Sequence, residues 1–146
     1  MEGAERQKLE KFRENNFLDD VVITGPVAKE HAMRLMKESD ALFFHLKDDI
    51  VMEKTIPSKV FDYMTAGKPI LFGIKGEGKE ILEQVKSNIY YYPESVASFI
   101  DALKKLKENY SELLKYAIDN KRLVEKYYTR EKMVDLPENH IRYLYR

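Results

Sequence analysis

The chain has 146 residues, in which 25 Lys and Arg balance 25 Asp and Glu, and it contains three histidines and no cysteine. That length suits one domain with its own core, and the balanced charge argues against a nucleic-acid partner because phosphate-backbone binding needs a basic excess. Without cysteine neither a disulfide framework nor a thiolate metal site is possible, and His31, His45 and His140 lack the spacing of metal ligands, so we expect no metal and no cofactor.

Helices and strands alternate along the first two thirds of the chain. Apolar periodicity predicts helices over 4–17, 28–40, 57–67 and 79–87, and short apolar or β-branched runs predict strands over 20–25, 41–46, 69–74 and 88–92. From Pro93 onward the pattern is helical, with breaks near Tyr110 and at Thr129, and Pro137 kinks or ends the last segment.

This alternation predicts an α/β fold. We expect a Rossmann-like domain of three layers, with a mainly parallel four-stranded sheet and a helical C-terminal third. The runs 41–46 and 69–74 are apolar almost throughout, as in strands that are covered on both faces. Because no repeat and no linker is visible, residues 1–146 are predicted to form a single domain, with 111–146 as its C-terminal helices.

The most informative stretch is EKTIPSKVFDYMTAGKPILFGIKGEG, residues 53–78. Pro57 suits the first position of a helix, where its missing N–H costs nothing. The N–H groups of Ser58, Lys59 and Val60 then point out of the positively polarised helix end, which suits a diphosphate. Asp62, one turn further on, is placed to accept hydrogen bonds from two vicinal hydroxyls, as on a ribose. Such a start also occurs in α/β proteins that bind nothing there, and spacing alone leaves both interpretations open.

Other polar features carry weaker signals. The loop GIKGEGKE, residues 73–80, has glycines suited to a tight turn near a ligand, but one Gly-x-Gly is weak by itself. Asp48 and Asp49 form a carboxylate pair, yet neighbours in a loop are usually solvated. His45 lies in an apolar run and is predicted to be a core or rim histidine rather than a ligand.

The segments VVITGPVAKEHAMRLMKESDALFFHLKDD and TIPSKVFDYMTAGKPILFGIKGEGKEIL resemble the C-terminal, nucleotide-sugar-binding domain of the GT-B glycosyltransferases of family 4. The likeness is closest to enzymes that build cell-surface polysaccharides, and PSKVFDYMTAGKPI is its most specific part. The resemblance implies transfer of a sugar, with retention of its anomeric configuration, from a UDP- or GDP-type nucleotide-sugar to a glycan or lipid-linked acceptor.

The resemblance also implies roles for individual residues. The family has an acidic pair eight positions apart, whose second member, near the ribose, falls on Asp62, with Asp in place of the usual Glu. Its first member, near the donor sugar, falls on Lys54, and a shift of one residue would bring in Glu53 as the catalytic candidate. The turn that binds the donor phosphates falls on Thr55, Ile56, Ser58 and Lys59, and the turn that frames the nucleobase falls on Pro26 and Val27.

In the resembled family an acceptor-binding domain comes first, and the first strand of the nucleotide domain carries an Arg and a Lys that neutralise the diphosphate. Neither is found in this sequence, so we expect no activity from this chain alone and a separate acceptor-binding domain or subunit as its partner. In the strand order 3-2-1-4-5-6, the two absent strands would leave a gap beside 20–25. We expect either direct packing of 20–25 against 41–46 or a second copy that fills the gap.

A homodimer is therefore expected in preference to a monomer. The C-terminal helices would supply amphipathic tyrosines to its interface: Tyr110, Tyr116, Tyr127, Tyr128, Tyr143 and Tyr145. The N-terminus is charged from its second residue, and no apolar run approaches the roughly 20 residues of a membrane span. We thus expect a cytoplasmic protein without a transmembrane segment, membrane-peripheral only through a partner.

Two further hypotheses compete with the interpretation of the chain as the donor-binding part of an enzyme. One is a non-catalytic remnant or an assembly subunit of a split glycosyltransferase, which Lys54 at the position of an acid supports. The other is a response-regulator-like signalling domain, which shares the architecture only. It would need a phosphorylatable Asp at a strand end, and Asp48 and Asp49 lie too far beyond 41–46.

Overall fold

The structure is a computed structural model that describes residues 4–54 and 56–129. Thr55, Pro137 and the part of the predicted C-terminal helices beyond residue 129 lie outside the described residues. The elements, in chain order, are α1 (Ala4–Asn15), α2 (Lys29–Glu38), β1 (Leu42–His45), α3 (Ile50–Glu53), α4 (Ser58–Thr65), β2 (Ile70–Gly73), α5 (Glu77–Glu83), β3 (Ile89–Tyr90), α6 (Val96–Glu108) and α7 (Tyr110–Tyr127).

The three strands form a parallel sheet in the order β1-β2-β3, with Leu42 opposite Ile70 and Phe72 opposite Tyr90. α4 connects β1 to β2, and α5 connects β2 to β3, so the sheet is built from two successive βαβ units. The predicted α/β fold with a parallel sheet is confirmed. All three strands end at one edge, called here the carboxyl edge, and begin at the opposite one, the amino edge.

The strand predicted over 20–25 is not formed, and in the described part of the chain the sheet has three strands rather than four. The backbone of this segment bonds locally instead. The Val21 N–H donates to the Leu18 carbonyl over 3.1 Å, and Arg13 Nη1 donates to the Val21 carbonyl over 3.3 Å. β-branched residues favour extended backbone, but a strand also needs a neighbour with which to share a ladder. Val22 accordingly remains 77% exposed.

Each face of the sheet carries its own hydrophobic core. Phe44, Ile70 and Phe72 point to the first face, where they pack with buried residues of α4 and α5 and with partly buried residues of α7. Leu71 and Tyr91 point to the second face and pack with α6. This arrangement gives the three layers. β2 is buried throughout, as predicted, whereas Phe43 of β1 is 51% exposed, so the expected coverage of both faces holds for β2 and fails for β1.

The amino edge is closed by a buried amide network. Asn120 of α7 is fully buried, and its Nδ2 donates to the Lys68 carbonyl over 3.0 Å and to Asn88 Oδ1 over 2.9 Å. Asn88 Nδ2 in turn donates to Asn120 Oδ1 over 2.7 Å, and Asn88 Oδ1 accepts from the Ile70 N–H. The network therefore ties α7 to the starts of β2 and β3.

Two of the predicted interface tyrosines pack inside the chain. Tyr110 borders the second core, and its hydroxyl donates to the Asp40 carbonyl over 3.0 Å. Tyr128 borders the first core and lies against the ring of Phe61. Tyr127 is 51% exposed, and Tyr143 and Tyr145 lie outside the described residues. The packing of Tyr110 and Tyr128 does not support the interface role, and the homodimer stays a prediction.

The chain divides between Arg34 and Leu35 into two compact units. The first contains α1 and the segment that leads to α2, and the second contains the sheet and the helices packed on it. The extent of the predicted single domain stays a prediction. Among the residues that the structure describes, none of the helices is both long and apolar enough to cross a bilayer.

Candidate functional site

The helix predicted to receive a diphosphate begins at the carboxyl edge of the sheet. α4 follows β1 and leads into the parallel strand β2, so it must run back across the sheet from the carboxyl edge to the amino edge. Its first residues therefore lie where open parallel sheets bind their ligands. Val60 and Met64 are fully buried and anchor the helix on the first core.

Pro57 lies one position earlier than predicted. It is the N-cap of α4, with φ of −63° and an extended ψ of 135°, and Ser58 is the first helical residue. The proline ring fixes only φ, and that value suits both the first helical position and the extended cap. The Val60 N–H donates to the Pro57 carbonyl over 2.9 Å, which closes the first turn, so this N–H is not free, contrary to the prediction.

The start of α4 has no side-chain cap, in contrast to the start of α6. Ser95, the N-cap of α6, accepts a hydrogen bond from the Ser98 N–H over 3.2 Å. Pro57 has no side-chain oxygen that could do the same for α4. The first N–H groups of α4 are thus not satisfied by a capping side chain, and they carry the positive end of the helix dipole.

The predicted ligand residues of α4 share its accessible side. Ser58 and Lys59 are exposed and Asp62 is partly buried, and Ser58 and Asp62 are four residues apart, one above the other on the same helix face. Ile56 is different, because its side chain is 7% exposed and packs in the first core. Only its backbone is suited to the predicted contact, and Thr55 lies outside the described residues.

The start of α5 lies beside the start of α4. A Cβ added to Gly78 would come 4.0 Å from Pro57 Cδ and 3.9 Å from a methyl group of Val60. Gly76, the N-cap of α5, has φ of +74°, and a Cβ there would collide with the carbonyl of Glu53. Gly76 therefore allows the loop to lie against the backbone of Glu53, and Gly78 places the start of α5 next to Pro57 and Val60.

The two helix starts differ in charge. The first turn of α5 carries Glu77 and Glu80, which neutralise its dipole, whereas the first turn of α4 has no acidic residue and contains Lys59. An anion is consequently repelled from the start of α5 and attracted to that of α4.

Lys75, which no sequence pattern indicated as a ligand residue, lies at the same edge. Its Nζ is 2.8 Å from Asp48 Oδ1 and 3.8 Å from Glu53 Oε1. The small pocket around it is also lined by Leu46, Lys47, Asp49, Ile74 and Pro93. The hydrogen bond to Asp48 raises the pKa of Lys75, so the amine is fully charged at neutral pH. The one signal in the sequence was the lysine directly before the Gly-x-Gly, because Asp48 is 27 residues away.

The predicted catalytic candidate Glu53 is therefore next to a cation. It ends α3, its carboxylate faces Lys75, and its backbone contacts Gly76. Lys54, at the position that the family gives to an acid, is exposed. Whether Glu53 acts on a donor sugar stays a prediction.

Pro26 and Val27 lie in the unit that ends at Arg34, and both are exposed. They follow Gly25, whose φ of +67° makes the turn. Their assignment to a nucleobase stays a prediction.

His45 is exposed at the end of β1 rather than buried. Its Nδ1 lies 3.0 Å from the hydroxyl of Tyr91, and the two rings are stacked at 5.9 Å between centroids. Tyr91 is 3% exposed, and burial raises the pKa of its hydroxyl to about 12. Within residues 4–54 and 56–129, no group of three His, Asp or Glu side chains is placed to hold a metal ion.

An open parallel sheet with an uncapped helix start at its carboxyl edge is typical of α/β proteins that bind anionic ligands. A comparison with protein families narrows this class to one family. The sequence model of the glycosyl transferases group 1 matches residues 2–124, and the chain belongs to this family. Members of the group use nucleotide-sugar donors. Searches of curated proteins and of solved structures gave no match.

Proposed function

We propose that the chain is the nucleotide-sugar-binding part of a retaining glycosyltransferase of family 4 that builds surface polysaccharides. The donor is a UDP- or GDP-sugar, and the acceptor is a glycan or a lipid-linked glycan that binds to a separate acceptor-binding domain or subunit. The protein works in the cytoplasm, and any membrane association comes through its partner.

One observation carries this proposal: the uncapped, acid-free start of α4 lies at the carboxyl edge in a chain of the group 1 family. Ser58 and Lys59, the first two residues of α4, are both exposed. The diphosphate accepts hydrogen bonds from the first N–H groups and from the Ser58 hydroxyl, while Lys59 adds a positive charge. Asp62, one turn below, accepts hydrogen bonds from the two ribose hydroxyls.

In the proposed reaction the protein acts mainly by electrostatic stabilisation and little by covalent chemistry. The bond between the anomeric carbon and the diphosphate oxygen breaks, a bond forms between that carbon and the oxygen of an acceptor hydroxyl, and the nucleoside diphosphate leaves with the hydroxyl proton. Negative charge grows on the leaving diphosphate as the bond breaks, so a positively polarised helix start stabilises the transition state more than the bound substrate. Pro26 and Val27 frame the base in this proposal, and Glu53 contacts the donor sugar.

Calorimetric titration with UDP and with GDP tests the proposal. We expect one of the two to bind with a Kd in the millimolar range or tighter. Asp62→Ala should weaken binding about tenfold or more, because it removes hydrogen bonds to a charged acceptor, and Ser58→Ala should weaken it about threefold. Thr65→Ala, which removes a hydroxyl from the other end of α4, is the control and should leave the Kd unchanged.

A second pair of measurements separates binding from folding. Ser58→Asp places a carboxylate at the helix start, which should stabilise the folded chain by about 0.5 kcal/mol through the dipole and abolish nucleotide binding. Folded wild-type protein that gives no heat with either nucleotide would refute the proposal.

Lys54 supports a second candidate, a non-catalytic remnant or an assembly subunit of a split glycosyltransferase. Lys54 stands where the family has an acid, and the carboxylate of Glu53 already faces Lys75. This candidate predicts that a nucleotide-sugar binds no more tightly than its nucleotide and is not consumed when an acceptor-binding subunit is added. Tighter binding of the sugar donor, reduced by Glu53→Gln, would favour the enzyme instead.

A further inference from the structure

The pocket around Lys75 is lined by more acidic than basic side chains. Two carboxylates, those of Asp48 and Glu53, lie within 3.8 Å of its Nζ. The Lys75 side chain is 40% exposed and the Asp48 side chain 37% exposed, so water reaches both partners. Exposed ion pairs of this kind contribute little to stability, and a more highly charged partner readily replaces one of their members.

The loop that carries Lys75 lies beside the start of α4. Lys75 immediately precedes Gly76, whose backbone is pressed against Glu53, and Gly78 lies against Pro57. The loop is therefore fixed beside the helix start, while the long side chain of Lys75 stays able to rotate.

The other lysines of this region are placed differently. Lys79 is held over the ring of Tyr90, 4.3 Å from the centroid, and pairs with Glu83 over 3.6 Å. Lys47 also lines the pocket around Lys75, and Lys47, Lys54 and Lys59 are all exposed. Lys75, in contrast, is partly buried and pairs with Asp48 over 2.8 Å.

We propose that Lys75 binds the diphosphate of the nucleotide-sugar donor, and that Asp48 holds this lysine back while the site is empty. This inference rests on the proposed function and adds a regulatory contact to it. When the donor arrives, Nζ leaves the Asp48 carboxylate for a phosphate oxygen, and no covalent bond changes. Asp48 therefore lowers the affinity of the empty site for any anion too weakly charged to take over the lysine.

A double-mutant cycle tests the exchange, with the Kd for UDP or GDP measured by calorimetry. Lys75→Met should weaken binding about tenfold, because it removes a charge-assisted hydrogen bond. Asp48→Asn should tighten binding about threefold or more, because the lysine no longer has to leave an anion. In the double variant the gain from Asp48→Asn should vanish, since there is no lysine to release. Lys79→Met is the matched control and should leave the Kd within about twofold.

The outcomes distinguish this inference from the function on which it rests. If Asp48→Asn tightens binding equally with and without Lys75, the effect is simple charge removal and the exchange is refuted. If both single variants weaken binding and lower the unfolding temperature together, the pair is only structural and the exchange is again refuted. If wild type binds, Ser58→Ala and Asp62→Ala weaken it, and Lys75→Met does not, the proposed function stands without this inference. If wild type binds neither nucleotide, both fail.

Discussion

The two edges of the sheet use polar side chains in opposite ways. At the amino edge Asn88 and Asn120 satisfy each other and the surrounding backbone, and Asn120 is fully buried. At the carboxyl edge Ser58 and Lys59 are exposed and Asp62 is partly buried, and the described residues offer these three side chains no hydrogen bond or ion pair. At the amino edge the polar side chains find their hydrogen-bond partners within the chain. At the carboxyl edge the polar and charged groups of Ser58, Lys59 and Asp62 are accessible to solvent.

This contrast separates stability from binding. A buried polar network contributes to stability only when every member is satisfied, and no buried side-chain nitrogen or oxygen within the described residues lacks a partner. Polar groups left exposed at the ligand edge of an α/β sheet contribute little to stability and are available for a ligand. Variants at the two edges should therefore affect different measurements.

The largest effect is expected at the amino edge. Asn120→Ala removes the partner of Asn88 and leaves the Lys68 carbonyl without a donor, so the free energy of unfolding should fall by about 3 kcal/mol. Nucleotide affinity should not change in the fraction that stays folded. Chemical denaturation measures the loss, and Asn109→Ala, which removes an exposed bond to the Lys105 carbonyl, is the control with an expected loss below about 1 kcal/mol. A loss equal to that of the control would contradict the closed amino edge.

A glycine pair tests the carboxyl edge. Gly76 and Gly67 both have positive φ, at +74° and +67°, and Gly76 also has a ψ of −154°, a combination that is essentially restricted to glycine, so an alanine strains the backbone at both positions and more at Gly76. Only Gly76→Ala also collides with Glu53, since a Cβ at Gly67 meets nothing nearer than 3.8 Å. We expect Gly67→Ala to cost about 1 kcal/mol and Gly76→Ala about 2 kcal/mol in unfolding free energy. Gly76→Ala alone should weaken nucleotide binding, because it moves Glu53 and the loop of Lys75. Equal effects of both variants on affinity would show that this loop does not shape the site.

Alkaline pH should weaken the packing that lies beneath the carboxyl edge. Burial raises the pKa of Tyr91 to about 12, against about 10 in the unfolded chain. Its contribution to stability is therefore fully present below pH 10 and is lost as the pH rises from 10 to 12, by about 1 to 2 kcal/mol. Unfolding free energies of wild type and Tyr91→Phe should converge over that range, because Tyr63, Tyr90 and Tyr128, whose pKa values burial also raises, remain in both chains. Parallel curves would show that the Tyr91 hydroxyl is not held in its neutral form by the fold.

Local patterns predicted most of the fold. The helices from α4 onward and the three strands follow apolar periodicity and lie close to their predicted bounds. The strand predicted over 20–25 was wrong because β-branched residues favour only an extended backbone. A strand also depends on a neighbouring strand, which composition does not provide. The short helix α3 was hidden in a stretch predicted as loop, since four residues are too few to show a period.

The contacts that distinguish the two edges could not be predicted in this way. Asn120 lies 32 residues from Asn88 and 52 from Lys68, and Lys75 lies 27 residues from Asp48. No local period links such residues, because only the crossovers of the βαβ units bring them together. Ser58, Lys59 and Asp62 were accessible to prediction because one helix carries all three.

Following the backbone amides by NMR during titration with UDP and GDP tests most directly whether the start of α4 binds the diphosphate. If it does, the largest shifts should fall on the N–H groups of Ser58 and Lys59, because the Val60 N–H already donates to the Pro57 carbonyl, while those at the capped start of α6 stay unchanged. Shifts that leave the Ser58 and Lys59 amides unmoved, or that concentrate at another helix start, would contradict diphosphate binding at α4.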